Sequence, residues 1–259
     1  MIAVFDSGLG GLTALSHLLE VAPEDSYVYF GDLGRVPYGG RSQETILRYS
    51  LQALSFLETF APRAVLVACG TVSANALRVM EAAASCPVYG VILPAAAAAV
   101  AATKNGKVAV LGTAATIRTH AYRHALLAAE PKLSVWEVAC PLFVPLVEQG
   151  LCDPDDVAVE SICRRTLAPL AAAGVDTVVL GCTHYPLLGA AIARVLPHAV
   201  QIDVGRAAVS AVCPYTEVSP RPSVTCYVSD CTDTFTKTAS RFLGTARLTA
   251  VRRVTMEGF

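Results

Sequence analysis

Charged residues are scarce in this 259-residue chain, at 16% of the sequence against roughly 25% in an average soluble domain. The formal net charge is only −1 at pH 7, so the electrostatic footprint of a nucleic-acid-binding protein is missing. Hydrophobic residues make up 54%, with Ala and Val in excess, as in parallel strands buried on both faces. We expect no nucleic-acid partner.

Long hydrophobic runs are also absent. The most apolar stretch, VILPAAAAAVAA (91–102), contains Pro94 and is well short of the ~20 residues that a membrane-spanning helix needs. The start, MIAVFDSG, lacks the basic region and the apolar region of a signal peptide. These features predict a cytoplasmic protein with no membrane partner.

The nine cysteines are an odd number and form no CxxC pair, which argues against a disulfide framework and against a zinc ribbon. His120 and His124 have metal-ligand spacing on a predicted helix, but no third ligand is apparent nearby. The stretch SGLGG (7–11) does not fit GxGxxG, and no GK[ST] follows it. We therefore expect no metal and no cofactor.

Short β-branched runs alternate with amphipathic stretches along the chain, and this alternation is typical of an α/β fold with parallel sheets. Ser42 is suited to cap a helix that runs to Phe60 and stops before Pro62. The predicted strands are 2–5, 27–30, 64–68, 88–91, 107–111, 134–138, 177–181, 200–202 and 223–228.

The chain also has a repeated organisation. VLVACGTVSA in the first half and VVLGCTHYP in the second are both strand–Cys–polar–helix units. We expect two pseudo-symmetric lobes, each a mostly parallel sheet flanked by helices, that face each other across a cleft. The first lobe would comprise 1–92 and 205–259, with a helix over 232–243 closing it, and the second would comprise 93–204.

Polar and nucleophilic residues cluster at or just after the predicted strand ends, which is where open α/β sheets bind ligands. Strand ends carry polar turn residues in any case, so a single Ser or Thr there indicates little. Cysteine is normally buried and does not favour turns, so the two cysteines are more informative. The residues concerned are Asp6, Ser7, Cys69, Thr71, Thr113, Cys182, Thr183 and His184.

Two thiols on opposite sides of one carbon can act as a base and an acid and so invert a stereocentre. A free thiol has a pKa near ~8.5, and a helix N-terminus lowers that pKa by favouring the anion. Both Cys69 and Cys182 precede a predicted helix. If each sulfur approaches the carbon to about 3–3.5 Å, the sulfurs stand roughly 6–7 Å apart as separate thiols.

Several motifs resemble those of the glutamate racemases, in the aspartate/glutamate racemase superfamily. The resemblance covers nearly the whole chain, and LGCTHYP together with FDSGLGG and PYG is highly specific. The similar stretches are FDSGLGGLT (5–13), YFGDLGRVPYG (29–39), VACGTVSA (67–74), ACPLFVPLVEQG (139–150), LGCTHYPLL (180–188) and TASRFLG (238–244).

The resemblance implies cofactor-independent racemisation of glutamate, which supplies D-glutamate for peptidoglycan, and a homodimer. It implies that the Cys69 thiolate acts on the D-enantiomer and the Cys182 thiolate on the L-enantiomer. Asp6 would assist the first thiol, and Glu148 and His184 the second. Substrate contacts are implied at Asp6, Ser7, Pro37, Tyr38, Gly39, Gly70, Thr71, Thr113, Thr116, Thr183 and His184.

One departure from the family pattern matters. The first cysteine motif of the family normally reads Cys-Asn-Thr, whereas this chain has Cys69-Gly70-Thr71. The missing amide would ordinarily bond to the substrate, and a hydrogen bond to a charged group contributes roughly 1.5–3 kcal/mol. A racemase of another amino acid such as aspartate and a non-catalytic binding protein of the same family therefore remain alternatives. A cysteine hydrolase would leave the second thiol without a role.

Overall fold

The computed structural model describes residues 1–230 and 250–259. Ten strands lie in these residues, and most of them are runs of buried Val, Ile, Leu, Ala and aromatic side chains. They are β1 (Ile2–Asp6), β2 (Tyr27–Gly31), β3 (Ala64–Val67), β4 (Val88–Gly90), β5 (Lys107–Gly112), β6 (Ser134–Ala139), β7 (Thr177–Leu180), β8 (Val200–Asp203), β9 (Val224–Val228) and β10 (Ala250–Arg253).

Helices connect these strands within the described part of the chain. They are α1 (Leu12–Val21), α2 (Gln43–Glu58), α3 (Gly70–Asn75), α4 (Leu77–Ala83), α5 (Ile92–Ala102), α6 (Ala114–Arg118), α7 (Ala121–Ala129), α8 (Phe143–Glu148), α9 (Val157–Ala173), α10 (Gly189–Val195) and α11 (Val204–Val212). None of them is both long enough and apolar enough to cross a membrane.

The strands form two sheets in which every neighbouring pair is parallel. The first sheet has the order β10-β9-β2-β1-β3-β4, and the second has the order β6-β5-β7-β8. The order β2-β1-β3-β4 of the first sheet therefore recurs in the second, with each strand number raised by four. This recurrence is the structural counterpart of the repeat expected from the sequence.

Alternate side chains of β1 enter two different apolar clusters, because successive side chains of a strand point to opposite faces of its sheet. Ile2 and Val4 belong to a large cluster that is continuous with the buried strands of the second sheet. Ala3 and Phe5 belong to a smaller cluster that packs against α2. The first sheet is thus covered on both faces, and one of those faces is shared with the second lobe.

All nine predicted strands are present, and each differs from the prediction by one residue at one end. Ser42 caps α2 by accepting a hydrogen bond from the Thr45 N–H, and α2 ends at Glu58, two residues before Phe60. β10 was missed because its sequence, AVRR, is partly exposed and half charged. The helix expected over 232–243 lies outside the described residues, and the exact lobe boundaries stay predictions.

Asp203, at the end of β8, joins the second sheet to α1 of the first lobe. Its carboxylate accepts hydrogen bonds from the Gly205 N–H at 2.8 Å and the Arg206 N–H at 3.1 Å, which caps α11. The other carboxylate oxygen lies 3.1 Å from His17 Nε2. Burial raises the pKa of Asp203, but the bonds from His17 and the backbone lower it more, so the pKa is depressed overall.

We predict that Asp203→Ala lowers the free energy of unfolding at pH 7 by about 1–2 kcal/mol, since it removes a helix cap and a charged hydrogen bond. Because the pKa is depressed in the folded state, this contribution is complete above the unfolded pKa of ~3.9 and disappears as pH falls through the folded value. Urea denaturation across pH 2–7 measures it. The control Asp156→Ala removes only the cap of α9, at about 1 kcal/mol. A loss at Asp203 that is independent of pH would contradict the prediction.

Candidate active site

A cavity of about 300 Å³ opens between the carboxyl ends of the two sheets. Most of the residues singled out from the sequence line it. They are Ser7, Pro37, Tyr38, Gly39, Cys69, Gly70, Thr71, Thr113, Glu148, Cys182, Thr183 and His184. Asp6 and Thr116 are not in the lining and lie just behind it, fully buried.

Strand order explains why both cysteines reach this cavity. Cys69 follows β3 after one residue, and Cys182 follows β7 after one residue. β3 and β7 occupy the same place in the repeated strand order, next to the central strands β1 and β5. Ligand sites of parallel sheets lie outside the carboxyl ends of the strands at the point where the strand order reverses. The two thiols therefore come from equivalent positions of facing lobes.

Cys69 is buried, with its sulfur 3.2 Å from the Ser7 hydroxyl. Burial, together with the nearby Asp6 carboxyl, raises the pKa of Cys69 to about 12, against smaller lowering effects from Ser7 and the Val72 N–H. The expectation of a pKa lowered by a helix N-terminus was therefore wrong for Cys69. Cys69 does cap α3, but that helix has only six residues, and removal from water outweighs its field.

Asp6 lies beneath Cys69 at the end of β1. One carboxylate oxygen accepts a hydrogen bond from the Gly8 N–H at 2.9 Å, and the other is 3.4 Å from the Thr183 hydroxyl of the second lobe. Burial raises the pKa of Asp6, although His184 and the backbone N–H groups of Gly8 and Gly11 oppose that rise. Asp6 thus connects the first thiol with the second lobe.

Cys182, His184 and Glu148 form a row on the opposite side of the cavity. The Cys182 sulfur is 3.8 Å from His184 Nδ1, and His184 Nε2 is 3.4 Å from Glu148 Oε1. Burial lowers the pKa of His184, but Cys182 and Glu148 raise it more, to about 10. His184 is therefore a cation at neutral pH, and a cation beside a sulfur stabilises negative charge on that sulfur.

Three threonine hydroxyls meet where the lobes face each other. The Thr71 and Thr113 oxygens are 2.9 Å apart, the Thr113 and Thr116 oxygens 3.0 Å, and Thr116 lies 3.4 Å from Thr71. Thr113 also caps α6 by accepting from the Thr116 N–H at 3.2 Å. Each hydroxyl can donate and accept, so this cluster can turn its hydrogens toward a bound carboxylate.

Tyr38 lines the cavity, but its hydroxyl is already committed. It donates to the buried carboxylate of Asp32, which also accepts from Arg35 at 2.7 Å and from Ser229 at 2.6 Å. Tyr38 can therefore offer the cavity its ring and backbone rather than a free hydroxyl. Asp32 was not singled out from the sequence, although Arg35 and Tyr38 are close to it in the chain and only Ser229 is distant.

Several wall residues were not identified as site residues from the sequence. Cys140, which follows β6, lies in the stretch 139–150 and was not singled out there, and burial raises its pKa to about 12. The apolar side chains of the wall could not be identified from the sequence, because nothing in their chemistry marks a site. Only the stretch that contains Glu148 was noted. The additional lining residues are Gly8, Val36, Gly40, Ala114, Cys140, Pro141, Val144 and Pro145.

Within residues 1–230 and 250–259, no group of three or more His, Cys, Asp or Glu side chains is arranged to hold a metal ion. His120 Nδ1 lies 2.6 Å from Glu137 Oε2, and neither residue lines the cavity. No lysine or arginine is among the residues that line the cavity. An anion there would rely on hydroxyls, backbone N–H groups and His184.

Comparison with known proteins places this arrangement in a family. The family model for Asp/Glu/hydantoin racemases matches residues 13–212. The chain belongs to this racemase family. The glutamate racemase of Geobacter metallireducens is 47% identical over 202 residues, 78% of this chain and 74% of that protein. The glutamate racemase of Picosynechococcus is 39% identical over 251 residues, which cover 94% of this chain and 88% of that protein.

Solved structures of this racemase family agree with the fold. Glutamate racemase from Francisella tularensis in complex with D-glutamate superposes with a TM-score of 0.92 at 30% identity, covering 100% of this chain and 98% of its own. Glutamate racemase from Thermus thermophilus gives 0.87 at 36% identity, with the same coverage. An aspartate racemase homologue from Pyrococcus horikoshii shares the fold alone, with a TM-score of 0.57 at 15% identity over 83% of this chain and 97% of its own.

We predict that Glu148→Gln lowers the pKa of His184, because a carboxylate that stabilises the imidazolium is replaced by a neutral amide. Titration of the His184 ring nitrogens by NMR measures the change without any assay of activity. The control Glu137→Gln removes the partner of surface His120 and should leave the His184 titration unchanged. An unchanged His184 titration in Glu148→Gln would show that the 3.4 Å contact has no electrostatic effect.

Proposed function

We propose that this protein is a glutamate racemase that interconverts L- and D-glutamate without a cofactor, by proton transfer between the substrate and two thiols. One observation carries the proposal: Cys69 and Cys182, both buried, come from equivalent strand ends of the two lobes and line one cavity. The similarity to proteins named glutamate racemase, one of them solved with D-glutamate, supports glutamate as the substrate.

In the L-to-D direction, the Cys182 thiolate removes the proton from the substrate Cα, and the Cys69 thiol gives its own proton to the other side of that carbon. The raised pKa of Cys69 favours the protonated form, which this step requires. The His184 imidazolium stabilises the Cys182 thiolate before the transfer, and Glu148 holds His184 in its protonated state. We expect the sulfurs to stand roughly 6–7 Å apart, on opposite sides of the carbon.

The D-to-L direction starts from the Cys69 thiolate. Burial raises the pKa of Asp6, and a carboxylate with a raised pKa is a stronger base toward a neighbouring thiol. Asp6 therefore assists removal of the Cys69 proton, while Cys182 donates its proton to the substrate. Each direction leaves the two cysteines with exchanged protonation states, and proton exchange with solvent restores the starting form.

The substrate carboxylates are held by the neutral donors that face the cavity. The threonine cluster, Thr183 and Ser7 supply hydroxyls, and the 37–39 segment supplies backbone groups. Hydrogen bonds to a charged group contribute roughly 1.5–3 kcal/mol each. A cavity of about 300 Å³ matches a small substrate, since ligand pockets range from ~300 Å³ upward.

The family resemblance supports a cellular setting for this activity. We propose that the protein acts in the cytoplasm as a homodimer and supplies D-glutamate for peptidoglycan, with neither nucleic acid nor membrane as a partner. Large apolar side chains at the surface, such as Leu93 (71% exposed) and Val157 (79% exposed), are candidates for the contact between subunits. Light scattering of the purified protein tests the dimer, which a monomeric mass would exclude.

Replacement of either thiol should stop racemisation and preserve the fold. We expect Cys69→Ser and Cys182→Ser each to lose about 10²–10⁴-fold in kcat, the usual contribution of a general acid or base. Cys86→Ser, at a half-buried cysteine outside the cavity, is the matched control and should keep wild-type kcat. Full activity in either cavity variant would disprove the two-thiol mechanism.

The substrate is tested by proton NMR in D₂O, with L-glutamate in one tube and L-aspartate in another. We expect the Cα proton signal of glutamate to disappear as D-glutamate forms, because the returned hydrogen comes from a thiol that has exchanged with solvent. Exchange of aspartate alone would assign the site to the alternative substrate. Lack of exchange in both tubes would favour the non-catalytic binding protein.

A further inference from the structure

The residue after Cys69 and the residue before Cys182 are both glycines, and their backbones touch across the two lobes. A Cβ atom added to Gly70 would overlap the carbonyl oxygen of Gly181 and lie 3.1 Å from the carbonyl carbon. Real Cβ atoms essentially never lie within 3.0 Å of such an atom, so the overlap with the oxygen cannot be accommodated without a backbone shift. Glycine at position 70 is therefore required by this approach of the two chains.

Neither the backbone at Gly70 nor the backbone at Gly181 can move easily. Gly181 donates its N–H to Leu111 O at 2.8 Å, and a Cβ on Gly181 would lie 2.6 Å from that same oxygen. The ring of Tyr122 packs on the other side of Gly181, 3.3 Å from the added Cβ, and is 1% exposed. On the first lobe, Gly70 is held in α3, where Cys69 O accepts from the Ser73 N–H at 2.9 Å.

We propose that the backbone contact between Gly70 and Gly181 sets the separation of the two reacting thiols, which makes these glycines positioning residues. Each glycine is bonded directly to one of the two cysteines, so a displacement at the contact moves the sulfurs apart. This inference rests on the proposed two-thiol racemisation. It also accounts for glycine at position 70, because an asparagine side chain has no room to begin there.

A Cβ at position 70 must displace one backbone by an amount on the order of 1 Å, and a misplacement of that size can cost about 100-fold in rate. This displacement should also change what happens to each bound L-glutamate molecule. With the thiols too far apart, Cys182 still removes the proton from L-glutamate, but Cys69 fails to deliver its proton. The carbanion then takes a hydrogen back from the Cys182 thiol on the original side, which is deuterium once that thiol has exchanged with D₂O, and the substrate is not inverted.

The test compares wild type with Gly70→Ala in D₂O, with L-glutamate as substrate. NMR measures deuterium entering the remaining L-glutamate, and a chiral assay measures D-glutamate. The ratio of deuterium uptake into L-glutamate to inversion does not depend on how much of the enzyme is folded, so loss of stability alone leaves it unchanged. Gly34→Ala is the matched control, since its Cβ would make only ordinary contacts, at 3.4 Å and beyond.

We expect Gly70→Ala to lower the rate of inversion about 100-fold and to raise the exchange-to-inversion ratio, with Gly34→Ala like wild type in both. Tyr122→Leu serves as a second variant, because it removes the ring behind Gly181 and adds no atom to the contact. It should raise the ratio as well. An unchanged ratio in the variants that fold would overturn the proposal, whereas a wild-type protein that does not racemise glutamate would instead refute the proposed function.

Discussion

Burial of the ionisable side chains between the two sheets is the constraint on which the chemistry of this molecule depends. Burial raises the pKa of Cys69 and of Asp6, and burial alone would lower the pKa of His184. The protonation state of each of these groups also depends on a neighbouring group that is buried beside it. The site therefore works through pairs of groups, because an isolated charge in that environment would be too costly.

The two lobes repeat a strand order but differ in how each supports its thiol. In the first lobe Cys69 is paired with a hydroxyl and a buried carboxyl, Ser7 and Asp6. In the second lobe Cys182 is paired with an imidazolium that a partly exposed carboxylate, Glu148, stabilises. A symmetric scaffold thus holds an asymmetric pair, in which burial favours the protonated form of Cys69 and an imidazolium faces the Cys182 sulfur. This difference suits a reaction in which one hydrogen leaves the carbon on one side while another is delivered on the opposite side.

The strands and the pair of cysteines were predictable because both depend on local sequence. Runs of Val, Ile and Leu define buried strands, and a cysteine directly after such a run is unusual enough to be noticed. The raised pKa of Cys69 was not predictable, because it depends on burial by residues distant in the chain. The contact at Gly70 was not predictable either, because Gly181 is distant in the chain and the sequence shows only a missing amide at position 70.

The first sheet is discontinuous in sequence, since the whole second sheet is inserted between β4 and β9. During synthesis on the ribosome, β1 to β4 emerge first, and the outer edge of β2 has no partner until residues 224–228 have been made. An unpaired strand edge can join another chain, and incomplete domains of this kind are prone to aggregate. Because β9 is made last of these strands, the risk of aggregation is greatest at β2 before the fold is complete. In the finished fold the buried residues of β2 lie between β1 and β9.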